Sequence, residues 1–398
     1  MTNLSLYLVE SADMYPDGSA LRCDGATTTF SELADNAARF AAYLADRGVR
    51  PGDRVGVMLA NRPEFAMAFY GVLHAGAVVV PMDPLRTARE VEFFLTNTGA
   101  RFLVFAPSCG PAAIGGALAA GVPLIGVGER TLEKLTSGFL GQAWPVTRGG
   151  NDNAVILHTA SAAGAPRGAQ LTHHNLVSNQ AVIARRLLNI GPEDVVLVCL
   201  PLVHPFGITC GLGAAVSTGA TLALLPNFDP DRALEMVAAE RVTVFEGLPQ
   251  MCAAILQAAA RHDLDFGSLR VCISAGETMP AEVLHRFEDT FDCAVLEAYG
   301  LPETSGAMCS HYPGAARKVG SIGVPIDGVQ MRVVDAHATE APTGTPGEIQ
   351  VRGHNVMKGY WNLPEDTAAA IADGWFSTGD IGLVDGDGYF FIVARKNL

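Results

Sequence analysis

Short, largely apolar runs separated by helical patterns recur through roughly the first 310 residues, and no other feature constrains the fold as tightly. The runs lie at 54–59, 78–82, 101–105, 123–127, 154–158, 195–200, 221–225 and 270–274. Apart from polar residues at some ends, each is apolar at consecutive positions, which suits strands covered on both faces, and such strands are normally parallel and joined by crossover helices. One intervening helix is expected to start near Ser31, repeat Leu33, Ala37, Phe40, Ala41 and Leu44, and stop at Gly48. Another starts after Arg62 with Pro63 in its first turn and ends near Gly76, and others follow Pro230, Pro249 and Pro280.

From about residue 319 the texture changes. Gly, Pro and Asp punctuate short runs at 329–335, 348–352, 356–361 and 389–393, and 385–388 reads as a hairpin turn. The expected class is therefore α/β: parallel-rich sheets with covering helices in two subdomains, 1–150 and 151–315, plus a smaller, mostly antiparallel β subdomain, 316–398. The uncharged stretch 110–128 is broken by Pro111 and Pro123 and reads as a small buried helix feeding a strand, not a membrane span.

The 27 Lys and Arg against 41 Asp and Glu give a formal charge of -14, without a basic cluster. That argues against a nucleic-acid or anionic-membrane surface as the main partner. The N-terminus lacks a basic region and carries Glu10 and Asp13, unlike a secretory signal. Eight cysteines are scattered with no Cys-x-x-Cys, which points away from disulfide or metal frameworks and toward a reduced, cytoplasmic setting.

After the apolar run at 154–158 comes Thr159-Ala-Ser-Ala-Ala-Gly-Ala-Pro-Arg-Gly168. A small-residue loop leaving a strand and entering a helix is a place where backbone N–H groups converge on phosphate. A Walker loop is excluded, because Gly168 is followed by Ala169-Gln170. A dinucleotide fingerprint also fails for want of a third glycine and a strand-end acid. No Gly-x-Ser-x-Gly elbow surrounds Ser161, so a hydrolase reading has little support.

This loop resembles the phosphate loop of the AMP-forming adenylate enzymes, among them the acyl-CoA synthetases and fatty-acid–CoA ligases. Four further segments resemble that family's motifs in the same order. Leu200-Pro201-Leu202-Val203-His204-Pro205-Phe206-Gly207 matches a segment bordering the acyl pocket, and Ser274-Ala275-Gly276-Glu277 matches the loop lining the adenine face. Glu297-Ala298-Tyr299-Gly300-Leu301-Pro302-Glu303-Thr304 resembles the Tyr-Gly-x-Thr-Glu motif, and Gly374-Trp375-Phe376-Ser377-Thr378-Gly379-Asp380 reproduces the family's Gly-Trp-Phe-x-Thr-Gly-Asp. Segments 347–349 and 356–361 also fit the family's β subdomain. The final Ala394-Arg395-Lys396-Asn397 resembles the start of its hinge, and the smaller C-terminal lid domain is expected to be absent.

The resemblance implies ATP-dependent activation of a carboxylic acid, with a fatty or other neutral acid favoured, to acyl-AMP for transfer to CoA or a carrier-protein phosphopantetheine thiol. It implies Glu303 as the Mg²⁺ ligand, a role that suits a hard oxygen donor. Glu303, Thr304 and His204 are the implied catalytic residues. Thr159, Ser161, Gly164, Arg167, Gly168, Ala275, Gly276, Glu277, Glu297, Ala298, Tyr299, Gly300, Asp380 and Arg395 are expected around the nucleotide. His204, Phe206, Gly207 and Gly300 are expected around the acyl group.

The chain departs from the family pattern where phosphate should bind. Ala160, Ala162 and Ala163 stand where hydroxyl residues are usual, Ser161 where Gly is usual, and Pro302 where Thr is usual. Two lost hydrogen bonds to a charged group cost about 3–6 kcal/mol, and Ser161 adds about 1–2 kcal/mol if its backbone is left-handed. Arg167 in place of Lys keeps the charge and can bind phosphate bidentately. Two readings follow: a ligase with weakened polyphosphate contacts, or a catalytically silent acyl- and nucleotide-binding module of the same fold.

Overall fold

A computed structural model of the chain describes residues 3–127, 131–159 and 166–395. Three sheets organise them. The largest has nine strands, and its central strands Thr221–Leu224, Val195–Val198, Val244–Gly247, Val271–Ser274 and Ala294–Leu301 run parallel in that spatial order. Strand Val195–Val198 shows why consecutive apolar residues are needed. Val196 and Val198 face one buried layer, while Val195 and Leu197 face the other.

One edge of this sheet comes from early in the chain: Ser19–Cys23 lies parallel to Thr221–Leu224 and turns back into Ala26–Thr29. The opposite edge is antiparallel, where Gly306–Ser310 returns along Ala294–Leu301. The second sheet has six strands, with Phe102–Phe105, Arg54–Met58, Val78–Pro81 and Asn153–His158 as its parallel centre. The third is a five-stranded antiparallel sheet around Gly347–Gly353 and Trp375–Val384. The expected class, α/β with a smaller antiparallel part, is the observed one.

The helix Phe30–Asp46 illustrates how local signals and packing agree. Thr29 accepts from the Glu32 N–H at 3.2 Å while Glu32 accepts from the Thr29 N–H at 2.8 Å, a reciprocal cap. Its apolar stripe Leu33, Ala37, Phe40 and Leu44 is buried against helix Pro63–His74. Gly71 permits the close approach, since a Cβ there would lie 2.8 Å from the Phe40 ring. The uncharged helix, Gly110–Ala120, feeds strand Leu124–Gly126 as expected, but only one face is buried, with Leu118 72% exposed.

Two expectations need correction. The segment after the small-residue loop is a strand, Gly168–Thr172, antiparallel to Asn153–His158, and the helix begins only at His173. The run 356–361 is not a strand of the third sheet. It pairs with Gly168–Thr172 instead, through Trp361 N–H to Gly168 O at 2.7 Å and Lys358 N–H to Gln170 O at 2.9 Å. Two otherwise unpaired backbone edges satisfy each other.

Candidate active site

The last parallel strand of the large sheet, Ala294–Leu301, delivers Glu297, Ala298, Tyr299 and Gly300 to one rim. Chain direction then reverses tightly. Pro302 opens a 3₁₀ turn, Pro302–Thr304, where its missing N–H is no loss. At Gly300 an added Cβ would lie 1.5 Å from the Gly306 carbonyl oxygen, so only glycine fits this crossing. Thr304 is fully buried, and its hydroxyl accepts from the Leu301 N–H at 2.9 Å and lies 3.1 Å from Leu301 O and 3.2 Å from Gly306 O. In this conformation that hydroxyl braces the turn.

The turn presents Glu303. Its carbonyl accepts from the Met357 N–H at 2.8 Å, and its Oε1 accepts from the Tyr360 hydroxyl at 2.9 Å. The Arg167 guanidinium lies 4.4 Å from the centre of the Tyr360 ring, with Asp366 3.7 Å from its Nη1. Burial pushes the Glu303 carboxyl above the usual range, while the Tyr360 hydroxyl and the charges of Arg167 and Arg395 pull it down. A desolvated carboxylate flanked by cations fits a hard metal ion and its phosphate ligands.

Tyr299 points the other way. Its hydroxyl donates to Asp380 Oδ2, and Arg395 donates from Nε to Asp380 Oδ1 at 2.7 Å. Asp380 is 2% exposed, on strand Trp375–Val384 directly opposite Arg395 on Phe390–Arg395. The Asp380 N–H is satisfied by the Thr378 hydroxyl at 3.1 Å. Burial, then the Asp380 charge, raises the Tyr299 phenol well above its ordinary value, so it stays a donor.

The loop 274–277 ends strand Val271–Ser274, and Gly276 takes φ +94°, a left-handed conformation. Glu297 supports this loop by accepting the Met279 N–H at 2.9 Å. Glu297 Oε2 and Ser274 Oγ are both buried without a partner, on residues that are register neighbours. Such orphaned polar atoms suit the amino and ring nitrogens of a nucleobase. Glu277 is exposed and bonded to Gln250 Nε2 at 2.5 Å, beside a cleft of about 420 Å³ that Gly276 and Leu248 also line.

Thr159 closes the mouth of the small-residue loop by donating its N–H to Arg167 O at 2.9 Å, and its own Oγ1 is buried without a partner. Gly168 leaves no room for a side chain, with Ile156 2.9 Å from an added Cβ. Ser161 and Gly164, with Ala160, Ala162, Ala163 and Ala165 of the loop, lie outside the described residues.

His204 is solvent-exposed, and partial desolvation lowers its pKa, with Asp83 and Arg86 in electrostatic reach. Phe206 packs half-buried against the core, and Gly207 opens a π-helical segment, Gly207–Gly213. That segment abuts the Gly300 crossing, since a Cβ at Gly306 would lie 2.4 Å from Thr209 Oγ1.

The expected residues thus fall into linked groups: Tyr299, Asp380 and Arg395; Glu303 with Arg167; Thr159 with Gly168; Glu297 with the 274–277 loop. Sequence reasoning passed over Tyr360, whose hydroxyl and ring face join Glu303 to Arg167. Its only signal was a lone tyrosine in a run already suspected of belonging to the fold.

A buried carboxylate with two donors, a second carboxylate at a tight turn and a small-residue loop that opens on an orphaned hydroxyl fit the nucleotide site of an adenylate-forming enzyme. The AMP-binding enzyme family matches residues 8–361, and the chain belongs to that family. A feruloyl-CoA synthase from an Amycolatopsis species is 35% identical over 98% of this chain and 78% of its own length. A long-chain-fatty-acid–CoA ligase from Bacillus subtilis (strain 168) is 31% identical over 99% of this chain and 76% of its own length. The ATP-bound crystal structure of MatB from Rhodopseudomonas palustris superposes with a TM-score of 0.92 at 30% identity, covering 99% of this chain and 78% of that one. Among the described residues, no helix is long and apolar enough to cross a membrane.

Proposed function

We propose that this chain activates a carboxylic acid as acyl-AMP for transfer to the thiol of CoA or of a carrier protein. The observation that supports this reading is the convergence of Tyr299, Asp380 and Arg395 in one cluster and of Glu303, Tyr360 and Arg167 in another, both set by the strand and turn 294–304. Asp380 is suited to accept from both ribose hydroxyls, because a carboxylate has free lone pairs beyond those used by Tyr299 and Arg395. Glu303 would hold Mg²⁺, which supplies charge neutralisation on the phosphates. Arg167 stands where it can exchange the Tyr360 face for a phosphate oxygen. The chain's own contribution is positioning and fixed electrostatics, since attack of the acid carboxylate on the α-phosphorus needs alignment more than a protein nucleophile. The segment 204–213, with Tyr299 and Gly300, borders the acid. The names of the relatives, which act on ferulate and on long-chain fatty acids, support an acid with a largely apolar body.

The departures at 160–163 and at Pro302 favour a second feature: tighter binding of AMP or acyl-AMP than of ATP. The ribose and base contacts are kept, while hydroxyl donors to the departing pyrophosphate are fewer. The stronger form of this reading is a catalytically silent binding module. Carboxylate-dependent ATP–pyrophosphate exchange decides between them, and calorimetry with AMP and with ATP·Mg tests the affinity order. Exchange supports the ligase. AMP binding without exchange for any acid supports the module, and the absence of AMP binding overturns both.

A further inference from the structure

Strand Val244–Gly247 lies at the centre of the nine-stranded sheet, between Val195–Val198 and Val271–Ser274. Its side chains alternate, with Phe245 in one buried layer and Val244 and Glu246 facing the other. Level with Glu246 are Val198 and Ile273, both fully buried and apolar. Glu246 itself has no exposed surface, and neither carboxyl oxygen has a hydrogen-bond partner. Burial alone drives its pKa far above the usual carboxylate range. The nearby thiols Cys199 and Cys210 are likewise held neutral by burial and offer no counter-charge.

A carboxyl group orphaned in an apolar layer costs stability and is rare unless a ligand completes it. What faces it is the π-helical segment that borders the proposed acid site, and irregular helical turns of this kind concentrate at functional sites. The nearest turn lacks a side chain: a Cβ added at Gly211 would lie 3.1 Å from Glu246 Oε2 and 2.8 Å from Val198. Asn179 adds a second orphan on the same side of the sheet, its Oδ1 buried without a partner and 3.6 Å from where a Cβ of Gly306 would stand.

We propose that Glu246 is a specificity-determining residue at the deep end of the acyl site, and that the acid this chain accepts carries a hydrogen-bond donor, a hydroxyl or amino group, on the end remote from its carboxylate. The inference rests on the acid-activating reading above. A protonated Glu246 can accept from and donate to a hydroxyl, whereas an ammonium group would pair with the ionised form. The shared requirement is a donor where an apolar tail would leave both oxygens unmet.

The test compares straight-chain acids from butanoate to decanoate, and benzoate, with their remote hydroxy and amino derivatives. Acyl-AMP formation and calorimetric binding in the presence of AMP are measured for the full chain and for Glu246→Leu and Glu246→Gln. A donor-bearing acid is expected to outperform its parent by about tenfold or more, the scale of one buried hydrogen bond to a carboxyl group. Glu246→Leu should abolish or invert that ratio, and Glu246→Gln should keep the preference for hydroxyl while losing that for amine. Equal or better use of every parent acid overturns the inference, as does a donor preference that survives Glu246→Leu. Failure of every acid to bind while AMP binds overturns it too, whereas failure of AMP to bind sinks the parent reading.

Discussion

Asp380 and Arg395 are register partners across an antiparallel ladder, and their side chains meet at 2.7 Å with the carboxylate 3% and the guanidinium 72% exposed. The pair is therefore a buried acceptor under a mobile-length, solvent-facing lid group. Asp380→Ala is expected to weaken AMP binding by about 10–100-fold, since two charge-assisted hydrogen bonds are removed together. Arg395→Ala should cost about fivefold or less through this pair, because an exposed partner contributes about 0–1 kcal/mol. Calorimetry with AMP checks both, and the reverse order would assign the ribose to Arg395.

Glu303 gives a prediction with a sign. Its pKa is raised by burial and lowered by the Tyr360 hydroxyl, so Tyr360→Phe removes a stabiliser of the carboxylate and raises the pKa further. If ionised Glu303 is needed, the acid limb of the pH profile for ATP–pyrophosphate exchange moves to higher pH in Tyr360→Phe. An unmoved limb would show that another group titrates there. Glu303→Gln should reduce exchange by about 100-fold or more, while AMP binding changes only slightly.

The loop substitutions test the order of nucleotide affinities. Replacing Ala160 by Ser and both Ala162 and Ala163 by Thr restores hydroxyl donors. ATP·Mg should then bind about tenfold or more tightly, at about 1.5–3 kcal/mol for each contact regained. AMP, which has no pyrophosphate, should be unaffected, and an equal gain for AMP would count against a phosphate role.

Glu246 should register in stability as well as in specificity. Glu246→Leu removes two orphaned oxygens from an apolar layer and is expected to stabilise the chain by about 1–3 kcal/mol in urea unfolding. The folded-state pKa is raised, so the native chain binds this proton more tightly than the unfolded chain does. Wild-type stability therefore falls as pH climbs from the ordinary glutamate range toward the raised value, and the variant lacks that decline. The gain should thus be smallest in acid and largest above neutrality.

Much of the fold was legible because strands buried on both faces leave continuous apolar runs, as at Val195–Val198. The strand Gly168–Thr172 was not, because one of its two flanks is supplied by a segment nearly two hundred residues away and its composition resembles a loop. Tyr360 was hidden as well, because Glu303, whose carboxylate it contacts, lies 57 residues away in the chain. Asp380 and Tyr299 were found by motif although 81 residues separate them, yet nothing local implied that one donates to the other. Glu246 escaped notice because Thr243 and Glu246 interrupt Val-Thr-Val-Phe-Glu-Gly, so it does not stand out as a continuous apolar run. Only the placement of that strand at the middle of nine shows that Glu246 faces no water.

The strand Gly168–Thr172 is stitched on both flanks, to Asn153–His158 on one side and to the backbone of Lys358 and Trp361 on the other. The next turn repeats the tie, with Asn175 donating to His354 O at 2.6 Å and Val356 O at 2.9 Å. The exit of the small-residue loop is thus riveted to the stretch that also carries Tyr360 against Glu303. A tug on either the loop or the carboxylate is transmitted to the other through main chain, so the two parts of the proposed phosphate and metal site would move as a single mechanical unit.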